Sequence, residues 1–139
     1  MIKLIIGEKG TGKTKKLIEK VNDALSSSNG NVVCVEKKDL LRFQINYKAR
    51  LVTADAYGIN GYEAFYGLLC GLCAGDHDIT DILVDATLKI AGTKDGDALC
   101  GFLKKIKVLS DLSGTDFTFT VSMDKDKLPS EIFEFCEEL

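Results

Sequence analysis

A glycine-rich run near the start of the chain has the residue types and spacing to bind phosphate. This run, called the glycine loop below, is Gly7, Glu8, Lys9, Gly10, Thr11, Gly12, Lys13 and Thr14. It fits the pattern G-x-x-x-x-G-K-[ST] at every fixed position. Glycines allow backbone angles closed to other residues, so consecutive N–H groups can turn inward around an anion. A helix is predicted directly after the loop, and its dipole adds to that attraction.

Two side chains of the glycine loop extend this prediction to a nucleotide and its metal. We expect the Lys13 ammonium to reach the β- and γ-phosphates, and the Thr14 hydroxyl to bind a Mg²⁺ ion that bridges them. The expected cofactors are therefore ATP and Mg²⁺, with the nucleotide contacting the loop and the following Lys15. ATP is preferred to GTP because the sequence contains no [NT]-K-x-D guanine motif.

A second metal ligand should come from an acidic residue at the end of another core strand. The apolar run Ile82, Leu83 and Val84 is followed by Asp85. Taken alone, such a run favours a strand that ends in an Asp-initiated turn. Beside the glycine loop it favours a metal ligand, and we predict that Thr14 and Asp85 hold the magnesium ion.

Along the sequence, apolar runs rich in β-forming residues alternate with helical patterns, and these elements must position the groups described above. This alternation predicts an α/β fold, a three-layer sandwich with a central, mostly parallel five-stranded sheet. The predicted strands are 2–6, 31–36, 50–53, 79–84 and 117–122. Four helices are predicted: one directly after the glycine loop, one over 60–74, one that includes 99–109 and one that begins at Pro129. The last of these carries Ile132, Phe133, Cys136 and Leu139.

The predicted helix over 60–74 has two features that concern its packing. Asn60 and Glu63 resemble a capping pair, and the helix is apolar nearly all round, so it should be buried on most sides. Glycines recur every four residues along it, at Gly67, Gly71 and Gly75. Glycine in a helix is costly unless another backbone approaches closely, so packing against the sheet is expected, with a homodimer interface as the alternative.

Length and composition limit the possible classes of function. With 139 residues, 45% of them apolar, the chain can build one continuous core, and a single domain over 1–139 is expected. A net charge of -3 gives no overall attraction to nucleic acid or anionic lipid. The longest nearly uncharged stretch, 60–75, is shorter than the ~20 apolar residues needed to cross a bilayer.

The five cysteines are an odd number scattered through apolar stretches: Cys34, Cys70, Cys73, Cys100 and Cys136. The start of the chain lacks a signal-peptide pattern, so free thiols and a cytoplasmic location are predicted. With His77, two of these cysteines follow C-x-x-C-x-x-x-H, which could place three soft ligands along one side of a helix. Because the flanking residues are apolar, buried thiols are favoured, and a metal or redox site is the alternative.

The glycine loop, together with the apolar run that ends at Asp85, resembles the P-loop NTPase superfamily. The resemblance is strong over residues 2–25 and looser over 79–86, and it points to the RecA-like branch, which has one extra strand between the P-loop strand and the Walker B strand. The chain also resembles small bacterial ATP-binding proteins that are sometimes labelled after the twitching-motility, or pilus-retraction, ATPase. Genuine motors are much longer and have acidic and histidine boxes that this chain lacks, so motility is not predicted.

The chain departs from that branch at one catalytic position. Members usually have a Glu directly after the Walker B Asp, and this chain has Ala86 there. A group near the γ-phosphate must position the attacking water, so another residue has to supply it. Glu36 and Asp55 follow predicted strands whose carboxyl ends should point to the ligand side, and the alternative for each is an ordinary loop acid. Ser122 ends the fifth predicted strand, where the resemblance implies a polar sensor, with a solvent-facing serine as the alternative. Lys13 completes the catalytic candidates.

Three functions remain open at this stage. The first is an ATP-binding nucleoside triphosphatase that is weak or stimulated by a partner. The second is a non-catalytic nucleotide sensor, in which the γ-phosphate orders nearby loops and changes a surface for an unknown protein partner. The third is a small-molecule kinase of the nucleoside type, which the presence of only two arginines, Arg42 and Arg50, disfavours. A GTPase is excluded because Leu88 occupies the glycine position of D-x-x-G.

Overall fold

The computed structural model describes residues 1–139 and contains one six-stranded sheet with helices on both faces. The strands are β1 (Ile2–Gly7), β2 (Asn31–Glu36), β3 (Arg50–Thr53), β4 (Ile79–Asp85), β5 (Asp116–Ser122) and β6 (Cys136–Glu138). The helices are α1 (Lys13–Ser27), α2 (Tyr62–Gly75), α3 (Thr87–Ala91) and α4 (Gly96–Ser113), and short 3-10 turns cover Ala54–Tyr57, Lys125–Lys127 and Ser130–Glu134. The predicted α/β class is confirmed.

The strands lie in the order β3-β2-β4-β5-β1-β6, and every neighbouring pair is parallel. One strand, β5, therefore separates β1 from β4. In a parallel sheet all carboxyl ends lie along the same edge. This edge, called the carboxyl edge below, brings together the glycine loop after β1 and the last residues of β2, β4 and β5.

The end of the chain corrects the helix predicted to begin at Pro129. It forms one 3-10 turn and then β6, so the sheet has six strands and the predicted five were wrong. Strand β6 pairs with β1, and the Leu139 N–H donates to the Leu4 carbonyl oxygen at 2.8 Å. Ile132 and Cys136 are buried in the core beside this edge strand. Pairing the open backbone groups of β1 outweighs the weak helical preference of a short terminal segment.

Apolar side chains form one layer on each face of the sheet. The larger layer has 27 buried residues and lies between the sheet and the helices α2, α3 and α4. Its centre is an aromatic cluster in which the ring centroids of Phe65 and Phe102 are 4.9 Å apart. The smaller layer has nine buried residues, including Leu17 and Val21 of α1. The sheet is thus covered on both faces, as predicted.

Helix α2 is less buried than its composition predicts. Its only buried residues form a single stripe at helical spacing: Phe65, Leu69 and Cys73. The residue before the helix is Gly61, and no side chain caps the first turn, so the predicted capping pair of Asn60 and Glu63 does not form. No helix in the protein combines the length and the apolar character needed to cross a membrane.

The glycines of α2 do not contact the sheet. Gly67, Gly71 and Gly75 are exposed, and a Cβ atom built at any of them would have no neighbour within 4 Å. The expectation that they pack against the sheet was therefore wrong, because the helix turns its large apolar stripe inward and leaves the small residues outside. The alternative of a homodimer interface stays a prediction.

We expect Phe119→Ala to lower the free energy of unfolding by about 3–5 kcal/mol. Phe119 is fully buried on β5, and its ring centroid lies 5.8 Å from that of Phe102 and 6.3 Å from that of Phe65. Truncation therefore leaves a cavity in the larger layer. Urea denaturation measures the loss, and Phe43→Ala is the control because Phe43 is 95% exposed. Similar losses in both variants would contradict this description of the core.

Candidate functional site

The glycine loop lies over the carboxyl edge between β1 and α1. Gly10 and Gly12 have φ angles of +85° and +82°, in the left-handed region that strains other residues. The backbone N–H groups of residues 9, 10 and 12 to 15 form no hydrogen bond within the chain. The loop and the start of α1 therefore present free donors beside the positive end of a helix dipole, which is what an anion site requires.

The Lys13 side chain folds back over the loop. Its Nζ donates to the Glu8 carbonyl oxygen at 2.7 Å, and the residue is only 9% exposed. Burial lowers the pKa of Lys13, the Asp85 carboxylate counteracts part of that effect, and the Lys89 ammonium adds to the lowering. Lys13 has no carboxylate bonded to it, so a bound anion would stabilise its charged form.

Two hydroxyl groups hold the carboxylate of Asp85. Thr14 Oγ1 donates to Asp85 Oδ2 at 3.1 Å, and Thr120 Oγ1 donates to Asp85 Oδ1 at 2.7 Å. The two residues predicted to hold magnesium therefore lie within hydrogen-bond distance of each other. Hydroxyl and carboxylate oxygens are ligands that Mg²⁺ accepts, with water and phosphate oxygens completing its shell. The residues present at this point fit a magnesium ion.

Sequence reasoning did not predict Thr120, although the sequence contains a signal for it. Apolar and hydroxyl residues alternate along β5, and the apolar ones belong to the larger core layer. The hydroxyl residues must then face the opposite side of a central strand. Thr120 is only 1% exposed. Because a buried hydroxyl needs a partner, the alternation indicates a polar contact at that position.

Glu36 ends β2 directly opposite Asp85 of β4 and is 3% exposed. Its Oε1 accepts hydrogen bonds from the N–H groups of Leu40 at 2.9 Å and Leu41 at 3.1 Å. Its Oε2 is buried and has no hydrogen-bond partner. Leaving a buried carboxylate oxygen unpaired is unfavourable. The free oxygen is therefore a position where a donor from a ligand or a water molecule would be stabilised.

One cavity of about 730 Å³ connects these groups, and it is called the first cavity below. Lys13, Glu36 and Ser122 all line it, so three of the four catalytic candidates are brought together. Asp55 does not line it. That carboxylate lies in the 3-10 turn after β3 and pairs with Lys37 Nζ at 3.1 Å. The structure thus separates Asp55 from the other candidates because its strand stands at the edge of the sheet.

The cysteine and histidine motif does not assemble a metal site. No three or more His, Cys, Asp or Glu side chains lie together in a way that could hold a metal ion. Cys73 is buried, and its thiol donates to Thr115 Oγ1 at 3.9 Å, whereas His77 is exposed. All five cysteines are free. Burial raises the pKa of Cys34 to about 12, which makes that thiol unreactive.

The chemistry of the carboxyl edge follows from these contacts. Free amides and the Lys13 ammonium suit an anion, the oxygens of Thr14 and Asp85 suit a hard cation, and the free oxygen of Glu36 suits a proton donor. No family model matches the chain, and no curated protein matches it.

We expect Thr120→Val to lower the free energy of unfolding by about 1–3 kcal/mol, because it leaves one oxygen of the partly buried Asp85 without its donor. Thr118→Val is the matched control. Thr118 lies on the same face of β5 and is buried, but its side chain makes no hydrogen bond to Asp85. Urea denaturation of both variants measures the difference. A loss in the control as large as in Thr120→Val would contradict a specific role for the Thr120 hydroxyl.

Proposed function

We propose that this protein binds ATP with Mg²⁺ at the glycine loop and hydrolyses it, slowly or under stimulation by a partner. The observation that carries the proposal is the meeting, at one edge of the sheet, of free loop amides, the buried Lys13 ammonium and the bonded pair of Thr14 and Asp85. The strand order adds support, because β5 separates β1 from β4 as it does in the RecA-like P-loop NTPases that the sequence resembles.

In the binding step, the loop amides and Lys13 take the phosphate oxygens of the nucleotide. The Lys13 ammonium exchanges the neutral Glu8 carbonyl for a charged partner, which strengthens its hydrogen bond. The Thr14 hydroxyl and the Asp85 carboxylate would hold magnesium, and Thr120 keeps that carboxylate oriented. Bound magnesium neutralises charge on the β- and γ-phosphates.

In the hydrolysis step, Glu36 supplies the carboxylate that position 86 lacks. Its Oε1 is fixed by two backbone N–H groups, and its Oε2 is buried without a partner, so nucleotide binding would have to uncover Oε2 before it could accept a hydrogen bond from water. The water oxygen attacks the γ-phosphorus, the bond from that phosphorus to the bridging oxygen breaks, and ADP and phosphate are released. Glu36 orients the water and accepts its proton.

A slow basal rate follows from the cations that the first cavity contains. All of its cationic side chains are lysines, and no arginine lines it. Fast P-loop hydrolysis commonly uses an arginine that stabilises the charge of the transferring phosphoryl group, and a partner can supply it. The proposed hydrolase therefore reaches a high rate only in a complex that brings such a group.

We expect Mg-ATP to raise the melting temperature of the wild-type protein and Lys13→Ala to abolish the rise. At a ligand concentration of ~100 times the dissociation constant, binding adds about 2.7 kcal/mol to the stability of the folded state. Lys16→Ala removes the same charge from α1 outside the first cavity and should retain the rise. Differential scanning fluorimetry gives the comparison. No shift in the wild-type protein at millimolar Mg-ATP would refute nucleotide binding.

We expect Glu36→Gln to keep the rise in melting temperature and to slow phosphate release by about 10²–10⁴-fold, because the amide cannot accept a proton from water. Asp111→Asn is the control, since Asp111 pairs with Lys107 on α4 and both residues lie outside the first cavity. A phosphate-release assay under saturating Mg-ATP measures both rates. Equal rates in Glu36→Gln and wild type would remove Glu36 from the reaction, whereas binding without any turnover would favour the sensor function.

A further inference from the structure

A second cavity of about 530 Å³ opens beside the first part of the glycine loop. Its charged lining comes from separate segments and consists of Lys9, Lys89, Lys94, Lys127, Glu8 and Asp124. Four lysines and two acids thus line the cavity, in a chain whose overall charge is -3. The wall of this cavity is therefore positive although the protein as a whole is acidic.

The four lysines of the second cavity have no ion-pair partner. Ion pairs within 4 Å involve other lysines of the chain: Lys20, Lys37, Lys104, Lys107 and Lys125. Asp124 offsets only part of this charge, because the lining contains four lysines and only two acids. Like charges that share a cavity repel one another, so an anion placed between them relieves that repulsion.

Helix α3 sets the position of one of these lysines. Four of its five residues are buried, which leaves Lys89 as its only exposed side chain. Lys89 lines both cavities, together with Lys9, Ala86 and Ser122. It is also close enough to Lys13 to contribute to the lowering of the Lys13 pKa. The second cavity therefore adjoins the phosphate end of the first.

We propose that the second cavity binds a small molecule through a dianionic phosphate group, beside the position of the nucleotide's γ-phosphate. Lys89, Lys94 and Lys127 line the second cavity from three different segments. A lysine ammonium group binds phosphate as a compact positive charge. The cavity volume lies within the range of about 300–1,000 Å³ found for small-molecule sites. The location beside the γ-phosphate rests on the proposed function, whereas the anion binding itself does not.

The test is a calorimetric titration with two probes, inorganic phosphate and glycerol 3-phosphate, into the full chain with its first cavity filled by a non-hydrolysable Mg-ATP analogue. We expect saturable binding of one equivalent, weakened at least tenfold when Lys94→Met and Lys127→Met are combined. The control combines Lys104→Met and Lys107→Met, which removes the same charge from α4 and should leave binding unchanged. Tighter binding of glycerol 3-phosphate identifies a phosphate ester as the ligand, and equal binding identifies free phosphate.

A parallel titration of Lys13→Ala without nucleotide separates this proposal from the proposed function. Phosphate binding that persists in Lys13→Ala and is lost with Lys94 and Lys127 supports the second cavity, even if the protein binds no ATP. Phosphate binding that depends on Lys13 and not on Lys94 or Lys127 overturns the proposal, as does the absence of binding in every chain. Thermal melts of each variant without ligand check that the substitutions leave the fold intact.

Discussion

Parallel pairing sends the ends of β1, β2, β4 and β5 to the same edge of the sheet. Side chains at those ends cannot move apart without breaking the backbone ladder between the strands. Asp85 joins the parts at this edge, because it accepts hydrogen bonds from Thr14 of α1 and Thr120 of β5. The sheet therefore sets the position of the glycine loop relative to Glu36 and Asp85. The loop itself contributes the backbone N–H groups that have no acceptor.

The same edge concentrates groups whose hydrogen-bonding capacity the chain leaves unused. Loop amides have no acceptor, Lys13 has only a carbonyl oxygen, and Glu36 Oε2 has no partner at all. A buried polar atom without a partner, such as Glu36 Oε2, opposes stability, and such atoms are few in native structures. The exposed loop amides are free to bind an acceptor. The occurrence of these groups around one cavity is the physical basis for the proposed nucleotide site.

The two cavities share positively charged lining residues. Lys89 lies on their shared wall, and the anchored helix α3 keeps it there. If both proposed sites are occupied, an anion in one cavity would therefore change the electrostatic potential in the other. The short helix α3 connects the strand that ends at Asp85 with the lysines around the second cavity, and this gives the two proposed sites a common structural element.

Local pattern in the sequence determined the glycine loop, the strand that ends at Asp85 and most of the alternation of strands and helices. These features depend on backbone angles and on burial of neighbouring side chains, which a short window of sequence contains. Only the tertiary structure decided that the last residues pair with β1 and that the glycines of α2 face outward. It also decided that Asp55 lies outside the first cavity, paired with Lys37, and that Glu36 Oε2 has no hydrogen-bond partner. The same holds for the hydrogen bond from Thr120 to Asp85 and for the position of Lys89 between the two cavities. Such outcomes depend on which strands become neighbours and on which donors reach a given carboxylate, and both are properties of the folded chain.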